Sequence, residues 1–457
     1  MKYILFSTLL ICFESFGQTP ITDTNFHAAI QTCLSTHPVD GLCSSSEYSA
    51  MPDWDVSQVT DMSYAFSGRL EFNADISAWN VGQVTDMGEM FAYTDFNQDI
   101  GSWNVSKVTD MFSMFYQTPF NQIINDWDVS KVIDMYRMFS NTPFNKNIGN
   151  WDVGLVIDMG KMFENTPFNQ DIGNWNVSSV LDMNSTFYEA YLFNQDIGNW
   201  DVSQVTDMGS LFSQGYSFNQ DIGAWDVGNV TNMRNMFFND YYHPFNKDIG
   251  NWNVSNVTNM SGMFYNAINF NQDINSWDVS SVTNMSFMFN GATDFQQNIG
   301  NWDVGNVSFM QGMFGTNALV TEYYDALLNG WSSNPNLQTN VGFNAGSATY
   351  CNGVNGRAIL TDTFNWNVLD GGYDCSTLGL SHAENFDLKI YPNPANELLT
   401  VAGLNSSMDL CVYDLTGKLL LKVFDTDHID VKDLSSGIYL LKLSSGTDVL
   451  IKRFIRK

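Results

Sequence analysis

One pattern of apolar and polar positions returns every 24 to 27 residues along most of this chain. Each unit opens with Trp-Asp/Asn-Val, places a Val five residues after the Trp and a Met three residues later, and runs through Met-Phe to Phe-Asn-Gln-Asp-Ile. The eleven opening tryptophans are Trp54, Trp79, Trp103, Trp127, Trp151, Trp175, Trp200, Trp225, Trp252, Trp277 and Trp302. A self-similar period of this length predicts a stacked repeat array.

The elements within one unit follow from its apolar spacing. The β-branched pieces Trp-x-Val and Val-x-x-Met predict short strands, and Met-Phe followed by polar or small residues predicts one helical or 3₁₀ turn. A single unit has too few apolar side chains to fold alone, so its neighbours must supply the missing contacts. We therefore predict a leucine-rich-repeat-like solenoid over residues 53–320, with short parallel strands and short helical turns.

The segments on either side of the array predict caps that close its ends. Residues 25–35 place apolar side chains at helical spacing inside an N-terminal cap at 18–52. Residues Thr321–Trp331 do the same at the start of a C-terminal cap at 321–380.

The apolar pattern and the charge of the chain both change near Ser381. From Phe386 onward, short alternating apolar runs separated by glycine turns predict about seven strands and an immunoglobulin-like β-sandwich over 381–457. The net charge is −30, but residues 381–457 carry nine Lys/Arg and ten Asp/Glu, so nearly all of the acidity lies before them. Such an acidic array would repel a phosphate backbone, which excludes nucleic acid as a partner.

The first residues have the features of a signal peptide. Lys2 precedes a short apolar run, and Ser15 and Gly17 are small residues placed for cleavage before Gln18, so residues 1–17 form the predicted signal. No later stretch is apolar enough for a transmembrane helix. The prediction is a secreted or outer-surface protein.

An exported protein is expected to oxidise its close cysteine pairs. By proximity along the chain these pairs are Cys33–Cys43 and Cys351–Cys375, whereas Cys411 lies in an apolar strand pattern and is expected to be a buried free thiol.

Recurring amides and acids have mainly structural interpretations. The Asn after each second Phe is expected to form a ladder in which each amide binds backbone groups of the next coil; its central members are Asn97, Asn121, Asn145 and Asn169. Two columns of aspartates would repel along the stack and need turn hydrogen bonds, water or cations. The Gly-Gly-x-Gly-x-Asp calcium pattern is absent, so we predict no metal and no cofactor, with ordered calcium as the alternative.

The one 27-residue spacing marks an insertion at 238–244. Tyr241, Tyr242 and His243 within it are the candidate ligand-binding residues, and the alternative is a surface loop that has drifted in sequence. No histidine shares a repeat frame with a nucleophile and an acid, and no GxSxG, HExxH or P-loop occurs. We therefore predict no catalytic residues and no enzyme activity.

Two resemblances cover most of the chain. The repeated Trp-Asp-Val-Ser-x-Val-Thr-Asp-Met, Met-Phe and Phe-Asn-Gln-Asp-Ile resembles the BspA-like leucine-rich-repeat surface proteins, and the two cysteine pairs are similar to those that flank such arrays. This resemblance implies a cell-surface protein, and some relatives are adhesins for host matrix proteins.

The C-terminal segment resembles the type A sorting domain of the type IX secretion system. Ile390-Tyr391-Pro392-Asn393-Pro394, the Val412–Lys418 and Leu434–Tyr439 segments and the basic tail carry this match. It implies the type IX machinery as a partner, with a product that is either released or attached to surface lipopolysaccharide. The leading hypothesis is a non-catalytic binding or adhesion protein for an extracellular polymer, glycan or matrix protein, and the alternative is a structural coat or spacer.

Overall fold

The computed structural model describes residues 20–44, 46–376, 389–402, 408–414, 418–445 and 448–457. They belong to two compact units, Met1–Asp374 and Cys375–Lys457, each treated by itself below. The predicted signal peptide at 1–17 and the predicted boundary at 380/381 lie outside the described residues.

The N-terminal cap contains the predicted helix, α1 at Phe26–Leu34, followed by a 3₁₀ turn at Met51–Asp53. Buried apolar side chains on one face of α1 contact the array, and a disulfide joins Cys33 to Cys43. The Asp23 carboxylate accepts the Thr60 N–H at 2.7 Å, which fixes the cap to the first coil.

The repeats stack as coils that are joined by parallel one-residue bridges. One bridge links each coil to the next, as between Asp61 and Asp86 and between Asp86 and Asp110. Over 53–320, all of which is described, the remaining backbone forms hydrogen-bonded turns and open segments, with no named helix or strand after Asp53. The predicted parallel pairing and short turns are present as one-residue bridges and three-residue hydrogen-bonded turns, but neither extends into a strand or a helix.

The hydrogen bonds of the Met-x-x-Met-Phe segment explain why no helix or strand extends through the repeat. The N–H groups of Met87 and Glu89 donate to the next coil, to Asp110 O at 3.0 Å and Phe112 O at 2.7 Å, whereas Met90 N–H closes a local turn onto Met87 O at 3.1 Å. Glu89 has a φ of +52°, in the left-handed region. Local and inter-coil bonds thus alternate, and neither a helix nor a strand can propagate.

The core is a set of stacked aromatic columns. Within one coil the rings of Phe91 and Phe96 lie 3.8 Å apart between centroids, and Phe91 stacks on Phe115 of the next coil at 5.7 Å. Each repeat tryptophan is buried, and from Trp103 onward its indole N–H donates to an isoleucine carbonyl about one coil earlier, as from Trp127 to Ile100 O at 3.1 Å. Every coil therefore depends on its neighbours for both packing and hydrogen bonding.

The stack continues past the last recognisable repeat into the C-terminal cap. Helix α2 at Thr321–Ser332 confirms the predicted helix, and its Trp331 indole N–H donates to Ile299 O at 3.1 Å as the repeat tryptophans do. Cys351 and Cys375 are both disulfide-bonded. The remaining elements of the cap are β1 Gly342–Asn344, β2 Thr349–Tyr350, α3 Val354–Ala358, a π turn Ile359–Thr363, β3 Asn367–Leu369 and β4 Gly372–Tyr373, with β1 parallel to β3 and β2 parallel to β4.

The second unit consists of two antiparallel sheets whose buried side chains form one core. Cys411 is a buried free thiol, as predicted. The strands are β5 Lys389–Tyr391, β6 Leu398–Ala402, β7 Met408–Tyr413, β8 Leu419–Thr426, β9 His428–Asp430, β10 Gly437–Ser445 and β11 Asp448–Arg456, in sheet orders β5-β6-β9 and β11-β10-β7-β8. In the described part of the chain, no helix combines the length and apolar character needed to cross a bilayer.

Candidate binding surface

Differences between the coils concentrate on one surface, which we name the turn face. The turn face comprises the exposed side chains of segments 63–71, 88–95, 112–119, 136–143, 160–167, 184–192, 209–217, 234–244, 261–269 and 286–294. At the tenth residue after the Trp, for example, successive coils carry Tyr, Glu, Ser, Arg and Lys, whereas the opening Trp and the Val five residues later do not change. The turn face therefore gives each part of the array a different exposed surface.

The early coils place an aromatic and charged cluster on the turn face. The rings of Tyr93 and Tyr116 meet edge to face at 5.0 Å, and the Arg137 guanidinium lies 4.6 Å from the Tyr116 ring centroid. Glu164 lies 3.9 Å from Arg137 Nε. Ring and cation–π contacts thus hold these side chains together, although Arg137 Nε is buried without a hydrogen-bond partner among the described residues.

An open cleft of about 290 Å³ follows on the same face. Gln214 Nε2 donates to Asp240 Oδ2 at 2.9 Å, and the Asp240 N–H donates back to Gln214 Oε1 at 3.2 Å. Tyr191 and Tyr216 are each 44% exposed. The lining residues are Asn165, Glu189, Tyr191, Gln214, Tyr216 and Asp240.

The cleft forms where the repeat lengthens by one residue. In the shorter coils a buried Thr such as Thr166 donates its hydroxyl to the carbonyl of Phe163 at 2.8 Å and is followed by Pro. The corresponding buried position holds Ala190 in the next coil and Gly215 in the one after, and an exposed tyrosine follows each. The longer loops thus carry Tyr191 and Tyr216 outward and leave a depression between coils.

The structure separates the three residues predicted as a binding site. Tyr241 is 78% exposed, and Tyr242 is half-buried with its hydroxyl accepting from Asn269 Nδ2 at 3.1 Å. His243 is fully buried, so the prediction that its side chain contacts a ligand is wrong.

His243 instead serves the fold. Its Nδ1 accepts the Phe245 N–H at 3.3 Å, so its Nε2 carries the proton and donates to Phe212 O at 3.0 Å. Burial lowers the pKa of His243 to about 4, so the imidazole is neutral at physiological pH. The sequence contained the signal, because His243-Pro-Phe-Asn repeats the Thr-Pro-Phe-Asn of the shorter coils and marks His243 as the replacement for the buried Thr.

The asparagine column makes the contacts that the predicted ladder requires. Asn145 Oδ1 accepts the Asn169 N–H at 3.0 Å and Gln170 Nε2 at 2.8 Å. The same backbone bond joins Asn97 to Asn121 at 3.0 Å and Asn121 to Asn145 at 3.1 Å. The ladder fixes the spacing of the coils and leaves the turn face to vary.

The two acidic columns differ in environment. The exposed column, represented by Asp75, closes local turns onto residues two positions later. In the bridging column, burial together with the neighbouring Asp182 and Asp134 raises the pKa of Asp158 to about 6. The column ends where Asn232 Nδ2 donates to both carboxylate oxygens of Asp207, at 3.0 and 3.1 Å. Among the described residues, no group of three or more His, Cys, Asp or Glu is placed to hold a metal ion.

These features define a protein of stacked, roughly 25-residue coils followed by a separate β unit. Residues 41–147, 140–243 and 238–348 match the family described as Mycoplasma protein of unknown function, DUF285, and because these matches span more than half of the chain, the chain belongs to that family. Residues 389–457 match the secretion system C-terminal sorting domain, which marks the chain for export. No curated protein and no solved structure matches the chain.

Proposed function

We propose that this chain is a secreted or cell-surface, non-catalytic binding or adhesion protein that uses its turn face as a multivalent surface. In this proposal the coils form a leucine-rich-repeat-like solenoid, the BspA-like resemblance reflects a shared role at the surface, and the C-terminal unit uses the type IX route. The matched sorting domain supports the export part of the proposal.

The observation that carries the binding role is the coincidence of variation and exposed aromatic rings on one surface. Tyr64, Tyr191, Tyr216, Tyr241 and Phe287 are all more than 40% exposed, and all belong to the turn face. Tyrosine gives a large amphipathic contact area at a small entropic cost. A rigid array that presents such residues in successive coils suits multivalent contact with an extended partner.

A structural coat or spacer is the second candidate, and the uniform stack with its acidic surface favours it. The two candidates differ in one measurable property, because a binding protein has a saturable ligand and a spacer has none. The test is to apply the purified full-length chain to neutral glycans, acidic glycans and matrix proteins, with calcium and with a chelator.

Saturable binding to one ligand class supports the proposal, and equal binding with the chelator supports the absence of a calcium cofactor. Failure to bind any member of the panel saturably under either condition would overturn the proposal in favour of the spacer. A heat-unfolded sample of the same chain is the control for non-specific adsorption.

A further inference from the structure

We propose that the cleft between Asn165 and Asp240 binds a neutral oligosaccharide. The proposal rests on the binding role above and assigns it a place and a ligand class. Its geometric basis is a depression of about 290 Å³ that combines two exposed tyrosine rings with carboxylate and carboxamide groups.

The chemistry of the lining matches that of a sugar ring. A sugar presents C–H groups on its faces and hydroxyl groups around its edge, so it packs on an aromatic ring while its hydroxyls bind nearby oxygen and nitrogen atoms. Tyr191 and Tyr216 supply the rings from equivalent positions in adjacent coils. Because these platforms recur from coil to coil, they suit a chain of sugars better than a single unit.

The polar groups of the cleft are held in place before any ligand arrives. The reciprocal bonds between Gln214 and Asp240 hold these two lining residues in fixed positions relative to each other. The backbone beneath is fixed as well, because Glu189 N–H donates to Ser213 O at 2.9 Å and Gln214 N–H donates to Phe238 O at 2.7 Å. Preorganised groups of this kind lower the entropic cost of binding.

Charge narrows the ligand class. Glu189 and Asp240 bring two carboxylates into the lining, none of the six lining residues is basic, and the whole chain carries −30. A uronate or sulfated polymer would be repelled, whereas hydroxyl groups of a neutral sugar donate well to carboxylates.

His243 acts as a positioning residue for this site. Its buried ring anchors the loop that carries Asp240 by its bond to Phe212 O, and Gly215 lies against the same carbonyl, since a Cβ at Gly215 would lie 2.8 Å from Phe212 O. His243, Gly215 and the inserted loop therefore pack together around the Phe212 carbonyl.

The test uses calorimetry on the full-length chain with neutral hexasaccharides of glucose, mannose and galactose, and with polygalacturonate and heparin fragments as acidic probes. We expect saturable binding of a neutral hexasaccharide. Tyr191→Ala and Tyr216→Ala should each weaken it about tenfold, and Tyr191→Phe should retain most of the affinity because the ring remains. The control is Phe309→Ala, which removes a 54% exposed aromatic ring of the array outside the turn face and should leave the affinity unchanged.

Circular dichroism of each variant, which should match the parent, separates lost binding from lost folding, and Asp240→Asn provides an isosteric second variant that should also weaken binding. A ligand whose affinity is the same in all these variants, or binding of acidic fragments alone, would overturn this inference and leave the proposed function standing. Absence of any saturable ligand on the wider panel would overturn both.

Discussion

Substituting Asp158 by Asn should stabilise the array at neutral pH and leave its stability unchanged in acid. Burial and the carboxylates of Asp134 and Asp182 raise the pKa of Asp158 from 3.8 to about 6. A raised folded pKa means that the folded state binds the proton more tightly than the unfolded state. Its stabilising contribution is therefore complete below the unfolded pKa near 4 and is lost as the pH rises through about 6.

The size of the effect follows from that shift. Two pKa units correspond to about 3 kcal/mol, and because the Asp158 side chain is only half-buried, screening by solvent reduces this to about 1–2 kcal/mol. An Asn at this position keeps the acceptor for the Gly160 N–H, now at 2.8 Å, and gains donors for the neighbouring carboxylates. The chain itself supplies the precedent, because Asn232 makes this contact with Asp207.

The assay is urea unfolding followed by tryptophan fluorescence at pH 4 and at pH 8, with the midpoint of Asp158→Asn compared with that of the parent. Asp128→Asn is the control. Hydrogen bonds from Ser130 lower the pKa of Asp128, so replacing this stabilised carboxylate by Asn should slightly destabilise the chain at pH 8. An Asp158→Asn midpoint that is raised equally at both pH values, or lowered at pH 8, would refute the reasoning.

Three further substitutions test what holds the coils together. Asn145→Ala removes the acceptor for the Asn169 N–H and should lower the free energy of unfolding by about 1–3 kcal/mol, measured by urea unfolding. Trp151→Phe loses the indole hydrogen bond to the preceding coil and part of a stacked column, so we expect a loss of about 2–4 kcal/mol in the same assay. Replacing Cys33 and Cys43 together by Ser should cost about 2–4 kcal/mol and should increase amide hydrogen exchange in the N-terminal cap.

The Asn145→Ala substitution has a control within the chain. Asn147→Ala removes an exposed carboxamide that accepts the Gly149 N–H within the same coil, so it should cost less than Asn145→Ala. An equal loss of unfolding free energy in the two variants would contradict a stabilising role of the ladder between coils. A Trp151→Phe midpoint equal to the parent's, or a cysteine double variant with unchanged exchange in the cap, would contradict the corresponding prediction.

The sequence predicted the parts of the fold that depend on apolar spacing alone. Helix α1 and helix α2 lie where their apolar faces indicated, and the asparagine column makes the predicted contacts because its amides recur at a fixed place in every coil. The predicted strands shrink to single bridges because amides such as those of Trp79 and Val84 close local turns, onto Ile76 O and Val81 O. Half of the relevant amides close local turns instead, and residues such as Glu89 adopt left-handed backbone that no propensity predicts.

The site was harder to predict because it depends on whether the additional residues of the longer coils point outward or into the core. The spacing of 25 instead of 24 was visible in the sequence, but only the structure shows that the longer loops carry Tyr191 and Tyr216 outward beside each other. Tyr241, Tyr242 and His243 lie in the longest insertion, yet His243 is buried and a neighbour, Asp240, lines the cleft. Residues that are consecutive in the sequence therefore do not form the binding cleft together.

The most direct test of the account converts the cleft coils into the chain's own shorter form. Residues 189–192 and residues 214–217 are each replaced by the Asn-Thr-Pro sequence of residues 165–167, which restores the buried threonine and removes both tyrosines. Calorimetry with the best-binding neutral hexasaccharide then compares this variant with the parent. We expect an unchanged circular dichroism spectrum and an affinity that falls by more than the roughly tenfold loss of either tyrosine variant, because both rings are removed together with Glu189 and Gln214. An affinity equal to that of the parent would contradict the claim that the turn face carries binding through this cleft.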